Sequence, residues 1–87
     1  MAERRNVETL VVLQPIAVDT DSPDREGMLV LANGLLIALL VRLDTPEHEQ
    51  FGQWFMEVGL GRLKGLRTPT FITLDEATRW FRGQIRP

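Results

Sequence analysis

The longest apolar stretch of the chain, Met28 to Leu43, is broken in its middle by Asn33-Gly34. Asn-Gly between apolar runs specifies a type I′ turn, whose two central residues need positive φ, so the stretch reads as a β-hairpin. Leucine and alanine would also suit a helix. Asn33-Gly34 in mid-run and the β-branched Val30, Ile37 and Val41 argue against one. A two-residue turn sets Ala32 opposite Leu35, Leu31 opposite Leu36, Val30 opposite Ile37 and Leu29 opposite Ala38. One face then carries Met28, Val30, Ala32, Leu35, Ile37, Leu39, Val41 and Leu43. The other carries Leu29, Leu31, Leu36, Ala38 and Leu40, with Arg42 at its end. A sheet with one wet face alternates apolar and polar positions. Here both faces are apolar, and each needs cover.

Downstream the period changes. Asp44-Thr45-Pro46-Glu47 spells a helix start, with a capping residue, a proline at the first helical position and an acid in the first turn. Phe51, Trp54, Phe55 and Val58 follow at i, i+3, i+4 and i+7, which predicts a helix over 46–58 closed by Gly59 and Gly61. Residues 69–73 predict a short strand. Thr73-Leu-Asp-Glu76 is a capping-box spelling that opens a second helix over 74–83, with Leu74, Ala77, Trp80 and Phe81 as its stripe. The expected fold is α+β, in the order β-β-α-β-α. A right-handed parallel crossover would leave both helices on one face of the sheet.

Upstream, Val7 to Val18 is apolar but split by Pro15, which disfavours a continuous helix or a central strand and leaves an edge strand or a loosely docked arm. The first six residues are expected to be disordered. Residues 19–27 are acidic, with a proline and a glycine, and read as a linker. The expected division is an N-terminal arm and linker over 1–27 and an α+β domain over 28–87.

Eighty-seven residues hold one hydrophobic core and little net stability. The chain has no cysteine and a single histidine, which removes disulfides, thiolate metal sites and multi-histidine sites as staples. Of the usual devices, oligomerisation remains. The apolar runs are too short to span a bilayer, and the N-terminus lacks the pattern of a signal peptide. The expectation is a cytoplasmic protein without membrane contact, metal or cofactor.

The inventory for catalysis is thin. His48 sits between Glu47 and Glu49, away from the apolar stripe, and reads as a solvated side chain. Ser22, the only serine, lies in the linker. Asp19, Asp21, Asp24 and Glu26 lack the spacing of a calcium loop. Gly59-Leu-Gly-Arg-Leu-Lys-Gly65 lacks the Gly-Lys-Ser/Thr ending of a phosphate loop and follows a predicted helix where such a loop follows a strand.

Net charge is −2 but lopsided. Residues 1–59 hold four arginines and ten acids, a balance of −6. Residues 60–87 hold five arginines, one lysine and two acids, a balance of +4. Arg62, Lys64 and Arg67, with Arg79, Arg82 and Arg86 at helical spacing, form a candidate surface for an anion or an acidic partner.

Residues 31–44, 54–61 and 71–80 resemble small bacterial proteins of uncharacterised function, over about residues 28–85. The shared features are a turn, two caps and core stripes. The resemblance therefore implies no activity, cofactor or site residue for this chain. The expected function is a non-enzymatic interaction or accessory domain, homodimeric through the face that carries Leu29, Leu31, Leu36, Ala38 and Leu40, with room for a further protein partner. The alternative is nucleic-acid or polyanion binding through the basic C-terminal third. A small-molecule sensor with a pocket between sheet and helix is a further reading.

Overall fold

In the computed structural model, which describes residues 10–85, four strands form one antiparallel sheet and a helix lies across it. The strands are β1 (Val11–Ala17), β2 (Glu26–Ala32), β3 (Leu35–Arg42) and β4 (Trp54–Gly59), and they neighbour one another in chain order. A 3₁₀ turn, Gly61–Leu63, precedes the helix α1 (Leu74–Gln84). The class is α+β. The expectation for residues 1–6, and Arg86, lie outside the described residues.

The β2–β3 hairpin turns at Asn33-Gly34, with φ of 51° and 87°. Both values are positive, as a type I′ turn requires. Ala32 pairs with Leu35 and Leu31 with Leu36. The register then shifts: Val30 pairs with Ala38 rather than Ile37, and Leu29 with Leu39 rather than Ala38. Ile37 is the extra residue of a β-bulge. One extra residue moves every later side chain of β3 to the other face. Ala38 and Leu40, expected on the second face, lie instead beside Val30 and Ala32 in the core, 1% and 0% exposed. Leu39 and Val41 cross the opposite way.

The helix expected over 46–58 does not form. Gly52, in its middle, has φ of +85°, outside the helical region. Residues 43–53 are a loop of successive i→i+3 turns, His48 to Thr45, Phe51 to His48 and Gln53 to Gln50. Leu43 closes it through backbone hydrogen bonds with Gln53 and Gly52. Trp54 then opens β4, which pairs antiparallel with β3. The parallel crossover is therefore absent. Along β4, Trp54 and Met56 are buried while Phe55 and Val58 are exposed. The aromatic and β-branched residues that spelled a helical stripe suit a strand equally well. The strand expected over 69–73 shrinks to one bridge, Phe71 against Trp54.

The last helix follows its caps. Thr73 Oγ1 accepts the Glu76 N–H at 3.1 Å, and Glu76 Oε1 accepts the Ile72 N–H at 3.1 Å. Ala77 and Phe81 of α1 are fully buried, and Phe71, Trp80 and Phe81 form an aromatic cluster with centroids 5.1–6.1 Å apart. Where a second helix was expected on this face, the segment between β4 and α1 brings Leu63 and Phe71 into the core. The 19–25 stretch is a fixed turn. Val18 N–H binds Arg25 O, and Asp24 Oδ1 accepts the Asp44 N–H at 2.6 Å, tying it to the 43–53 loop.

Candidate functional site

One face of the sheet packs under α1, and the strand registers define what the other face carries. Val11, Leu13, Val30, Ala38, Leu40, Trp54 and Met56 point into or against the core. The alternate positions therefore point away from it: Val12, Gln14 and Ile16 on β1, Gly27, Leu29 and Leu31 on β2, Leu36, Leu39 and Val41 on β3, Phe55 and Val58 on β4. Val12, Ile16, Leu36, Phe55 and Val58 are each about 40–46% exposed. Gln14 is the only polar residue among these positions. Glu57, the extra residue of a second bulge between Leu39 and Leu40 on the β3–β4 register, stands at the rim. Near the open end of this face Gly27 lets the chain close in, since a Cβ there would meet Val18 Cγ1 at 3.0 Å. An apolar face four strands wide is rare on a monomer surface without a binding role.

The two sheet edges are less inviting. Val18 N–H binds Arg25 O and Asn33 N–H binds Leu10 O. Antiparallel pairing alternates inward and outward residues, so even-numbered β1 residues bond to β2. Val11, Leu13, Pro15 and Ala17 turn their backbone groups outward. Pro15 thus removes a donor from the outer edge of β1, which no described strand pairs with, a common guard against strand addition. At the other edge, Trp54 exchanges two 2.8 Å hydrogen bonds with Phe71. Gly59 lies under the following turn, where a Cβ would sit 2.6 Å from Leu63 O.

Of the five residues assigned to the second face from sequence, the structure brings Leu29, Leu31 and Leu36 together there and places Ala38 and Leu40 in the core. It adds Val12, Ile16, Leu39, Phe55 and Val58; Val41 lies on the same side but is only 2% exposed. The Val12-x-Gln14-x-Ile16 alternation carried a signal for β1; the others were hidden by the bulge or by the helical reading of β4.

The basic residues are dispersed. Arg62 Nη1 lies 3.4 Å from Gln84 O, at the C-terminal end of α1, where a cation complements the helix dipole. Arg79 and Arg82 are exposed one turn apart on α1, and Lys64 and Arg67 are exposed in the loop before it. His48 is exposed, and its Nδ1 accepts the Gln50 N–H at 3.0 Å, a local turn contact. The N–H groups of Leu63, Lys64 and Leu66 bind carbonyls of their own loop, so they do not converge on a phosphate. Ser22 and Thr20 hydrogen-bond within the 19–25 turn. Among the described residues no three His, Asp or Glu side chains form a metal-binding group, and no helix is long and apolar enough to cross a membrane.

Comparison with family models, with curated proteins and with solved structures finds no match to this chain.

Proposed function

We propose that this chain is a non-enzymatic interaction domain that self-associates by stacking the face of its sheet opposite α1 on that of a second copy. The observation that carries the reading is the composition of that face: nine of its eleven paired positions carry an apolar side chain, the other two are Gln14 and Gly27, and none is charged. A face of this kind is self-complementary, which is what a two-fold dimer interface requires. Pro15 on one edge and the Trp54–Phe71 bridge on the other disfavour sheet extension and favour stacking. Four strands of about seven residues present on the order of 440 Å² in plan. Doubling this across two copies, and adding the relief of the side chains, gives an interface at the small end of specific complexes. The expected dimer is therefore reversible, in the micromolar range, with the sheets about 10 Å apart and their strands within about 30° of each other.

Sedimentation equilibrium from low to high micromolar concentration tests this. The wild type should pass from monomer to dimer. Phe55→Glu, on the exposed face, should stay monomeric with an unchanged circular dichroism spectrum. A wild-type chain that remains monomeric at several hundred micromolar would remove the proposal.

A further inference from the structure

We infer a second, separate site: a groove at the tip of the β2–β3 hairpin that takes a small amphipathic carboxylate of the medium-chain fatty acid type. The groove has a volume of about 330 Å³, within the range of about 300–1,000 Å³ over which small-molecule sites occur and at its small end. Its walls come from three parts of the chain that the fold brings together. The hairpin tip supplies Leu35, Leu36 and Ile37, the 3₁₀ turn supplies Leu60 and Leu63, and the end of α1 supplies Ile85. Leu35 and Leu60 are 72% and 41% exposed there, so an apolar ligand would remove surface that the fold leaves in water.

The polar groups of the lining define the other half of the ligand. Among the described residues, Arg62 is the only charged side chain in the lining, and no acidic residue lines the groove. Asn33 adds an amide whose Oδ1 already accepts the Leu10 N–H, which leaves its Nδ2 as a donor. A guanidinium and an amide donor beside six apolar side chains complement a carboxylate on a short alkyl chain. They offer a cation or a neutral apolar molecule less. Arg62 is held at the rim by its contact with Gln84 O, so part of its orientation is set before a ligand arrives. This site is distinct from the stacking face, with Leu36 alone common to both.

The test is an NMR titration of the ¹⁵N-labelled chain with sodium decanoate, decanol and decylammonium, each below its micelle concentration. Decanoate should give saturable shifts at residues 33–37, 60–63 and 85, and bind about tenfold or more tightly than decanol, the worth of a charge-assisted hydrogen bond. Arg62→Gln should erase that preference. Leu35→Glu, at a solvent-exposed position that should not affect folding, should weaken decanoate and spare decylammonium. Equal shifts with all three probes, or decanoate shifts confined to Val12, Leu39 and Phe55 on the open face, would overturn the assignment, as would no saturable shift at all.

Discussion

Asn33 and Leu10 hydrogen-bond twice: the Asn33 N–H binds Leu10 O at 2.9 Å, and Asn33 Oδ1 accepts the Leu10 N–H at 3.0 Å. The turn residue of the central hairpin thus also fastens the start of the edge strand β1. Two costs are joined at this position and two substitutions separate them. Asn33→Gly keeps the positive φ and the backbone bond to Leu10 O but loses the side-chain half of the clamp, which should cost about 0.5–1.5 kcal/mol. Asn33→Ala adds the strain of a left-handed alanine, about 1 kcal/mol or more beyond that. Urea denaturation should rank the midpoints wild type, Gly, then Ala. Equal midpoints for the two variants would mean that the turn does not demand its left-handed geometry.

Gly59 is where the chain folds back over the end of β4. A methyl group there would sit 2.6 Å from Leu63 O and 3.0 Å from Met56 Cε. The first contact is with backbone and cannot be relieved by rotating a side chain. Gly59→Ala should destabilise by about 1–3 kcal/mol, the usual range for overpacking, and should displace Leu63 from the core. Loss of the native chemical shifts of Leu63 and Phe81 in the folded variant is the local readout.

Gly52 decides between two readings of residues 46–58 by sign. Inside a helix, replacing this glycine by alanine would stabilise by about 1 kcal/mol. In the structure Gly52 has φ of +85° with nothing near its missing Cβ, so only backbone strain is left. Gly52→Ala should therefore destabilise by about 1–2 kcal/mol. A stabilised variant would restore the helix.

What could be read from residue order alone divides along physical lines. Asn33-Gly34 and Thr73–Glu76 are local devices whose chemistry lies within four residues; the turn and the Thr73 cap form as spelled, while the Glu76 carboxylate takes the Ile72 N–H in place of that of Thr73. The β2–β3 bulge at Ile37 has no comparable spelling. It follows from which side chains the core can bury, so an unbulged register puts Ala38 and Leu40 on the wrong face and Leu29, Leu31 and Leu36 on the right one. Residues 51–58 carry a spacing that fits a helix, but Trp54 and Met56 also alternate as a strand, and tertiary pairing with β3 chose the strand. The open face was visible as an excess of apolar residues. Its membership needed the registers of all four strands.

Pro15 separates stacking of faces from growth of the sheet. It stands at an outward-facing position of β1, where any other residue would offer a backbone N–H to an incoming strand. Pro15→Thr restores that donor with a residue well suited to strands, beside the exposed Val12 and Ile16. The variant should fold, since the inward hydrogen bonds of β1 fall on its even-numbered residues. It should also form species larger than a dimer, seen as concentration-dependent broadening in sedimentation velocity and a rise in thioflavin fluorescence. Adding Phe55→Glu to it provides the control. If the edge drives the new assembly, larger species persist although the face is charged; if the face drives it, they vanish. A Pro15→Thr chain that sediments as the wild type does would show that the outer edge of β1 is guarded by something other than its proline.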